Sequence, residues 1–400
     1  MGRTLAWRLA PRCEGVPPGA VDPGRSQPPA PSHAATTPPS VVLESQHGPA
    51  VDDRRGPGPV WEPVVWEPVM PGRQVLLYFA WSRPAETGAP LTEIDDRFPA
   101  VFELRRLFYP KFESLSGRDD VDPGIGGFLD HVQKPNFAAF AEQAAALTGT
   151  PVIQAERVSD AGVATPLDDA LIADADTIVV ISFDSLRTGQ VAAETEVEAI
   201  RRFLARPDHL IFVCPHHDIG ETPDVAGQER QERQIAEHLH HGDPGIPPRQ
   251  GFGRFARTLL AGLGVPVENR FGLRPAAAAD GAPAPIEIDR SRDVLGLLEG
   301  VAAFHLHPHL PQLERIGPVS ERMEVLARQA IDPAAPPHPF TRDGRSTFDA
   351  LLQSGPDTFA GKLLVCDTTM FSSTAGGVEN LRQLWSNIVL RPTRLRHPGP

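Results

Sequence analysis

The sequence predicts an α/β domain with a three-layer architecture, a mostly parallel sheet carrying helices on both faces. Three observations lead to it. From Gln74 onward, short runs of continuous apolar residues alternate with segments of helical period, as expected of parallel strands buried on both sides. The chain has 400 residues, 40% apolar and 22% charged, enough for one sizeable core. The flanking segments lack this pattern, which confines the domain to residues 72–392.

Taken in order, the first strand is Val75-Leu76-Leu77-Tyr78-Phe79-Ala80. Helices are predicted around Phe98 to Phe108 and Asn136 to Leu147, then a strand at Val152 to Glu156. Thr177 to Ile181 gives a third strand, and Glu194 to Ala205 a helix with Val197, Ile200, Phe203 and Leu204 on one face. Leu210 to Val213 is the next strand. Gly253 to Gly264 reads as a helix closed by glycine and leading into Val265-Pro266-Val267. Strands are expected near Val301 to Leu306 and at Leu363 to Cys366, and a closing helix at Val378 to Val389. Between them, the Pro-rich stretch 332–343 reads as a surface excursion.

Residues 1–70 hold 14 of the 44 prolines and show no apolar periodicity, so residues 1–71 are expected to be a disordered Pro-rich tail. Within it the pentapeptide Val60-Trp61-Glu62-Pro63-Val64 is repeated as Val65-Trp66-Glu67-Pro68-Val69, just before Met70. A translation start at Met70 and a genuine Pro-rich linker or partner-binding segment stand as alternatives. Residues 393–400 read as a frayed end.

Bulk properties exclude several classes. A formal net charge of −13, with no concentrated Lys/Arg stripe, argues against nucleic-acid binding. No run of about 18 apolar residues suggests a membrane span, and no secretory signal is evident, so a cytoplasmic protein is expected. Three cysteines, Cys13, Cys214 and Cys366, are too few for a disulfide framework and read as reduced thiols. The expected partner is a small-molecule ligand.

Histidine placement carries the functional signal. Eight of the fourteen histidines fall in three clusters: His216 and His217 with Asp218; His238, His240 and His241 with Asp243; and His305, His307 and His309. The first follows a buried strand directly and so belongs at the carboxyl edge of the sheet, where open α/β sheets bind ligands. If the last cluster is extended, its imidazoles repeat on one face. Imidazole with carboxylate suits a divalent metal such as Zn, with His216, Asp218, His305 and His307 as candidate ligands. The alternative is histidines that hydrogen-bond to backbone or to a ligand without metal. The same edge should carry Ser182, Asp184 and Arg187 after the third strand and Arg83 and Glu86 after the first, as ligand-binding candidates. The plainer reading of Asp184 and Ser185 is capping of backbone amides. Asp122 to Phe128 is glycine-rich but does not link a strand to a helix, and reads as a turn.

Several stretches resemble one superfamily. Asp174 to Val180, Glu194 to Leu204 and Leu210-Ile211-Phe212-Val213-Cys214 are similar to the order strand, acidic helix start, strand, nucleophile of class I glutamine amidotransferase-like proteins. Arg257 to Val265, Leu297 to Val301, Gly361 to Asp367, Gly376 to Asn380 and Asn387 to Val389 resemble its non-catalytic branch, the trehalose-utilisation-like and gliding-motility or intraflagellar-transport proteins. This resemblance implies a flavodoxin-like sheet with the site at Cys214 to Asp218. The family flanks its cysteine with glycines, and here Phe212 and His216 stand there, while Phe304 to His309 lacks the family's Glu. A glutaminase triad is therefore not expected. Pro215-His216-His217-Asp218 also looks a little like the Pro-His-Pro-Asp-Asp motif of zinc-dependent sugar-amide deacetylases, with Ile219 replacing the final Asp. The candidates for chemistry are thus His216, His217, Asp218 and Cys214. They suit hydrolysis of a small polar substrate, metal-assisted or acid–base; a catalytically silent ligand-binding or scaffolding module is the alternative.

Overall fold

A computed structural model describes residues 73–87, 134–217, 227–241, 251–308, 310–318, 320–373 and 378–392. The chain divides into two units, Met1–Val65 and Trp66–Pro400, and every described residue lies in the second. The tail, the helix expected at Phe98 to Phe108, the glycine-rich Asp122 to Phe128, Asp218 and His309 fall outside the described residues.

The described strands are β1 (Val75–Ser82), β2 (Ile153–Val158), β3 (Thr177–Ser182), β4 (Leu210–Pro215), β5 (Val267–Leu273), β6 (Glu287–Ile288), β7 (Leu310–Arg315), β8 (Met323–Ala330), β9 (Thr347–Ser354) and β10 (Lys362–Cys366). The longer helices are α1 (Ala138–Thr148), α2 (Glu194–Phe203), α3 (Gly227–His241), α4 (Arg254–Gly262) and α5 (Val378–Leu390). Eight strands form one sheet in the order β2-β1-β3-β4-β10-β9-β8-β6, and β5 pairs with β7 in a separate ribbon. The first five run parallel and the last three continue antiparallel, so the sheet is mixed. Its parallel part has the doubly wound 2-1-3-4-5 order, which leaves a ligand-binding edge at the carboxyl ends of the strands.

Strand alternation builds the three layers. Leu77, Phe79 and Trp81 of β1 face one side, with Phe212 and Cys214 of β4 and with Phe140 of α1 and Trp385 of α5. Leu76, Tyr78 and Ala80 face the other, with Ile211 and Val213 and with Ile200 of α2 and Leu259 of α4. Every residue of β1, β3 and β4 is buried, as helices on both faces require. Gly361 is needed for close approach at the start of β10: a Cβ there would sit 2.7 Å from Arg206 O and 2.8 Å from His209 O.

One expectation is corrected. Val301 to His307 forms no strand. Its start is bent at Gly300, whose φ is +71°, and the His307 amide bonds to the ring of His305 at 3.1 Å instead of to a neighbouring strand. The helix α3 and the antiparallel strands β6 to β9 were not among the predicted elements. Among the described residues no helix is long and apolar enough to cross a membrane.

Candidate functional site

The parallel strands β4 and β10 are neighbours, with Val213 opposite Val365. Their carboxyl ends therefore deliver His216 and His217 from one chain segment and Asp367 from another to the same place. Asp367 caps the short 3-10 turn Thr368–Phe371: its Oδ1 accepts from the Thr369 amide at 2.9 Å and from Thr369 Oγ1. Among the described residues its Oδ2 accepts no hydrogen bond, and it lies 3.6 Å from His217 Nδ1. A buried carboxylate is thereby held by one oxygen while the other faces an imidazole.

The irregular segment Val301 to His307 supplies the third wall. His305 Nδ1 accepts the His307 amide, so in the neutral ring the proton sits on Nε2, which lies 3.0 Å from Thr369 Oγ1. The hydroxyl passes its own proton toward Asp367. A directed chain, His305 to Thr369 to Asp367, follows from these roles. The His307 ring lies 5.0 Å from that of His217, and the His217 ring 3.7 Å from that of His216. His216 donates from Nδ1 to the His217 carbonyl at 3.1 Å and packs edge-on against Phe183 and Phe252.

Burial keeps these imidazoles neutral. Loss of water pushes His216 and His217 well below the ordinary imidazole range, and neighbouring imidazoles add to the shift: His217 acts on His216, and His307 and His305 act on His217. Burial, then His307, brings His305 down to about 3, and burial brings His307 to about 4 against the opposing pull of Asp367.

Several predicted residues are engaged elsewhere. Cys214 lies inside β4 rather than on a turn, since the ladder with β3 continues through Ser182 opposite Pro215 and His216 N bonds to Ser182 O at 3.0 Å. Its thiol is fully buried, 3.6 Å from Cys366 Sγ, and burial pushes its pKa well up, against formation of a thiolate. Ser182 and Asp184 cap α4: Ser182 Oγ accepts from Ala256 N and Asp184 Oδ2 from Phe255 N, both at 2.9 Å. Burial lifts the Asp184 carboxyl to about 6 against these bonds. Glu86 accepts from Ser185 N at 3.0 Å, and Arg83 pairs with Glu156 through its Nη2 at 2.9 Å. Only the backbone of Arg187 is described, in the 3-10 turn Leu186–Thr188.

Of the four candidate metal ligands, Asp218 lies outside the described residues. Among the described residues no three His, Cys, Asp or Glu side chains are arranged to hold an ion, and both ring nitrogens of His305 are already engaged within the protein. The second histidine cluster leads to a different constellation. His240 accepts the Arg274 amide at 3.0 Å, and its ring is 5.0 Å from that of His338, which bonds buried Glu237 at 2.6 Å. Those contacts fix α3 to the strand ribbon.

Asp367 and Thr369 were absent from the predicted site. A signal existed: an Asp directly after the fully apolar run Leu363 to Cys366 must stand at a strand's carboxyl end. Pairing it with His217, 150 positions earlier, needed the strand order.

Neither a scan against protein families nor a search of curated proteins gives a match. Among solved structures the chain is similar to a ThuA-like protein from Bacteroides uniformis, at 10% identity and a TM-score of 0.32, over 81% of this chain and 93% of that one. A likeness so slight adds nothing to the argument from geometry. The chain is an α/β protein whose described residues form a mixed eight-stranded sheet.

Proposed function

We propose that this is an amidotransferase-like domain that has moved its chemistry from the cysteine to the imidazoles, and that it hydrolyses a small polar substrate by acid–base catalysis. His217 is the base and Asp367 orients it. The observation that carries this reading is the Asp367 carboxylate, fixed through Oδ1 by Thr369 while Oδ2 stands 3.6 Å from His217 Nδ1 at the carboxyl edge of the sheet. With Nδ1 turned to the carboxylate, the Nε2 lone pair takes a proton from water as its oxygen attacks the substrate. The imidazolium then returns that proton to the leaving group. The lowered pKa of His217 keeps the ring in its base form at neutral pH and makes its conjugate acid a strong donor to the leaving group, while weakening it as a base in the first step.

The test is a panel of chromogenic amides, esters and glycosides assayed with the wild type, His217→Gln and Asp367→Asn. Turnover of at least one class is expected, with kcat reduced by roughly 10²–10⁴ in His217→Gln. Turnover of none by the wild type, or turnover that neither substitution affects, refutes hydrolysis here. A second reading, a silent ligand-binding module, is favoured by one observation: Cys214 is buried within a strand instead of standing on the turn where the resembled fold carries its nucleophile. Ligand binding by a wild type that turns over nothing supports it.

A further inference from the structure

Directly beneath the proposed site lies a feature that acid–base hydrolysis does not use, the paired thiols of Cys214 and Cys366. They project from neighbouring parallel strands into the same core layer, and their sulfurs are 3.6 Å apart. The register that sets Val213 opposite Val365 makes them the next facing positions. Adjacent strands run about 4.8 Å apart, inside the window of about 4.4–6.8 Å between Cα atoms that a disulfide spans. Each cysteine is tied to the site through the chain. Cys366 immediately precedes Asp367, and Cys214 is two residues before His216.

We propose that this pair is a peroxide-sensitive switch, closing to a Cys214–Cys366 disulfide that displaces Asp367 and His216 and so regulates the site. Its functional consequence rests on the reading of that site given above; the crosslink itself does not. In the first step one sulfur attacks hydrogen peroxide, breaking the O–O bond to give a sulfenic acid and one water. The partner sulfur then attacks that sulfenic sulfur, forming the S–S bond and releasing a second water, with the two thiol protons carried off in the waters. Two thiols are oxidised and one peroxide is reduced. Burial of both thiols, 0% and 1% exposed, selects a small oxidant over a bulky disulfide such as oxidised glutathione. Closing the sulfurs from 3.6 Å to the bonded distance of about 2.05 Å turns both side chains at the ends of β4 and β10, one residue before Asp367 and two before His216.

The test uses the full-length chain with Cys13→Ser, treated with hydrogen peroxide in the native state, alkylated while denaturing, and mapped by mass spectrometry. A Cys214–Cys366 crosslink that dithiothreitol reverses is expected, together with shifted imidazole NMR signals of His216 and His217. Cys366→Ala should show neither change. Over-oxidation to sulfinic acid without a crosslink, or thiols still reduced after prolonged exposure to excess peroxide, overturns the proposal. So does a crosslink that leaves the imidazole signals in place. Because this readout is independent of turnover, failure of the switch is distinguishable from failure of hydrolysis.

Discussion

Acidification should destabilise this protein well before its carboxylates protonate in bulk, because its site is built from imidazoles whose affinity for protons burial lowers in the folded chain. His305 shows the size of the effect. It is fully buried, and its pKa is about 3 in the folded chain against about 6.5 for an exposed imidazole. The unfolded state thus binds a proton that the native state refuses, and stability that is fully present above about pH 6.5 is lost as pH falls toward 3. At pH 5 the linkage for this residue alone comes to about 2 kcal/mol. Asp184 works in the opposite sense: raised to about 6, its carboxyl takes up a proton more readily when folded, and by pH 5 that returns about 1 kcal/mol. The imidazoles win, since His216 and His217 are shifted in the same direction as His305. Urea unfolding followed by tryptophan fluorescence at about pH 7.5 and about pH 5 measures the balance. The midpoint should fall in acid, and by less in His305→Asn. A midpoint equal or higher at the lower pH refutes the claim that the imidazoles are held neutral.

Thr369→Val removes the hydroxyl that joins His305 to Asp367 and should lower turnover more than binding, while Thr369→Ser restores it; equal kinetics in both variants would show that the hydroxyl does not position Asp367. Gly361→Ala forces a Cβ against two backbone carbonyls at 2.7 and 2.8 Å and should cost about 2–3 kcal/mol in equilibrium unfolding, with an unchanged midpoint as the refuting result. Native Cys214 should react with iodoacetamide far more slowly than free cysteine near neutral pH, since burial opposes its thiolate; rapid labelling at that position contradicts this. Trp385→Ala empties a fully buried site between α1 and α5 and orphans the Met370 carbonyl, so a loss of about 3–5 kcal/mol is expected by the same unfolding measurement.

Legibility in the sequence follows the physics of each segment. The strands β1, β3, β4 and β10 were readable because burial on both faces demands uninterrupted apolar runs, such as Val75 to Ala80 and Leu363 to Cys366. The antiparallel side was not. β8 runs Met323-Glu324-Val325-Leu326-Ala327-Arg328, where Glu324 is only half-buried and Arg328 exposed, and β6 is two residues long. Val301 to His307 misled in the opposite direction: buried Val301 and Phe304 gave it the apolar look of a strand, while its backbone is taken up by local bonds to a side chain.

The site was legible in part for the same reason. A histidine pair after a buried strand announces a sheet edge, and that placement needs only local sequence. Which histidine meets which carboxylate depends on strand order, and the partner of His217 proved to be Asp367, brought beside it because β10 inserts next to β4. Clustering of histidines was a weaker guide than position. His305 lies in a cluster and has both nitrogens bonded, and His240, also clustered, anchors a helix. What distinguishes His217 is that the carboxylate opposite it is immobilised from behind by Thr369, so the spacing between them is fixed by the fold. Any substitution that frees Asp367 should therefore act on His217 without touching it.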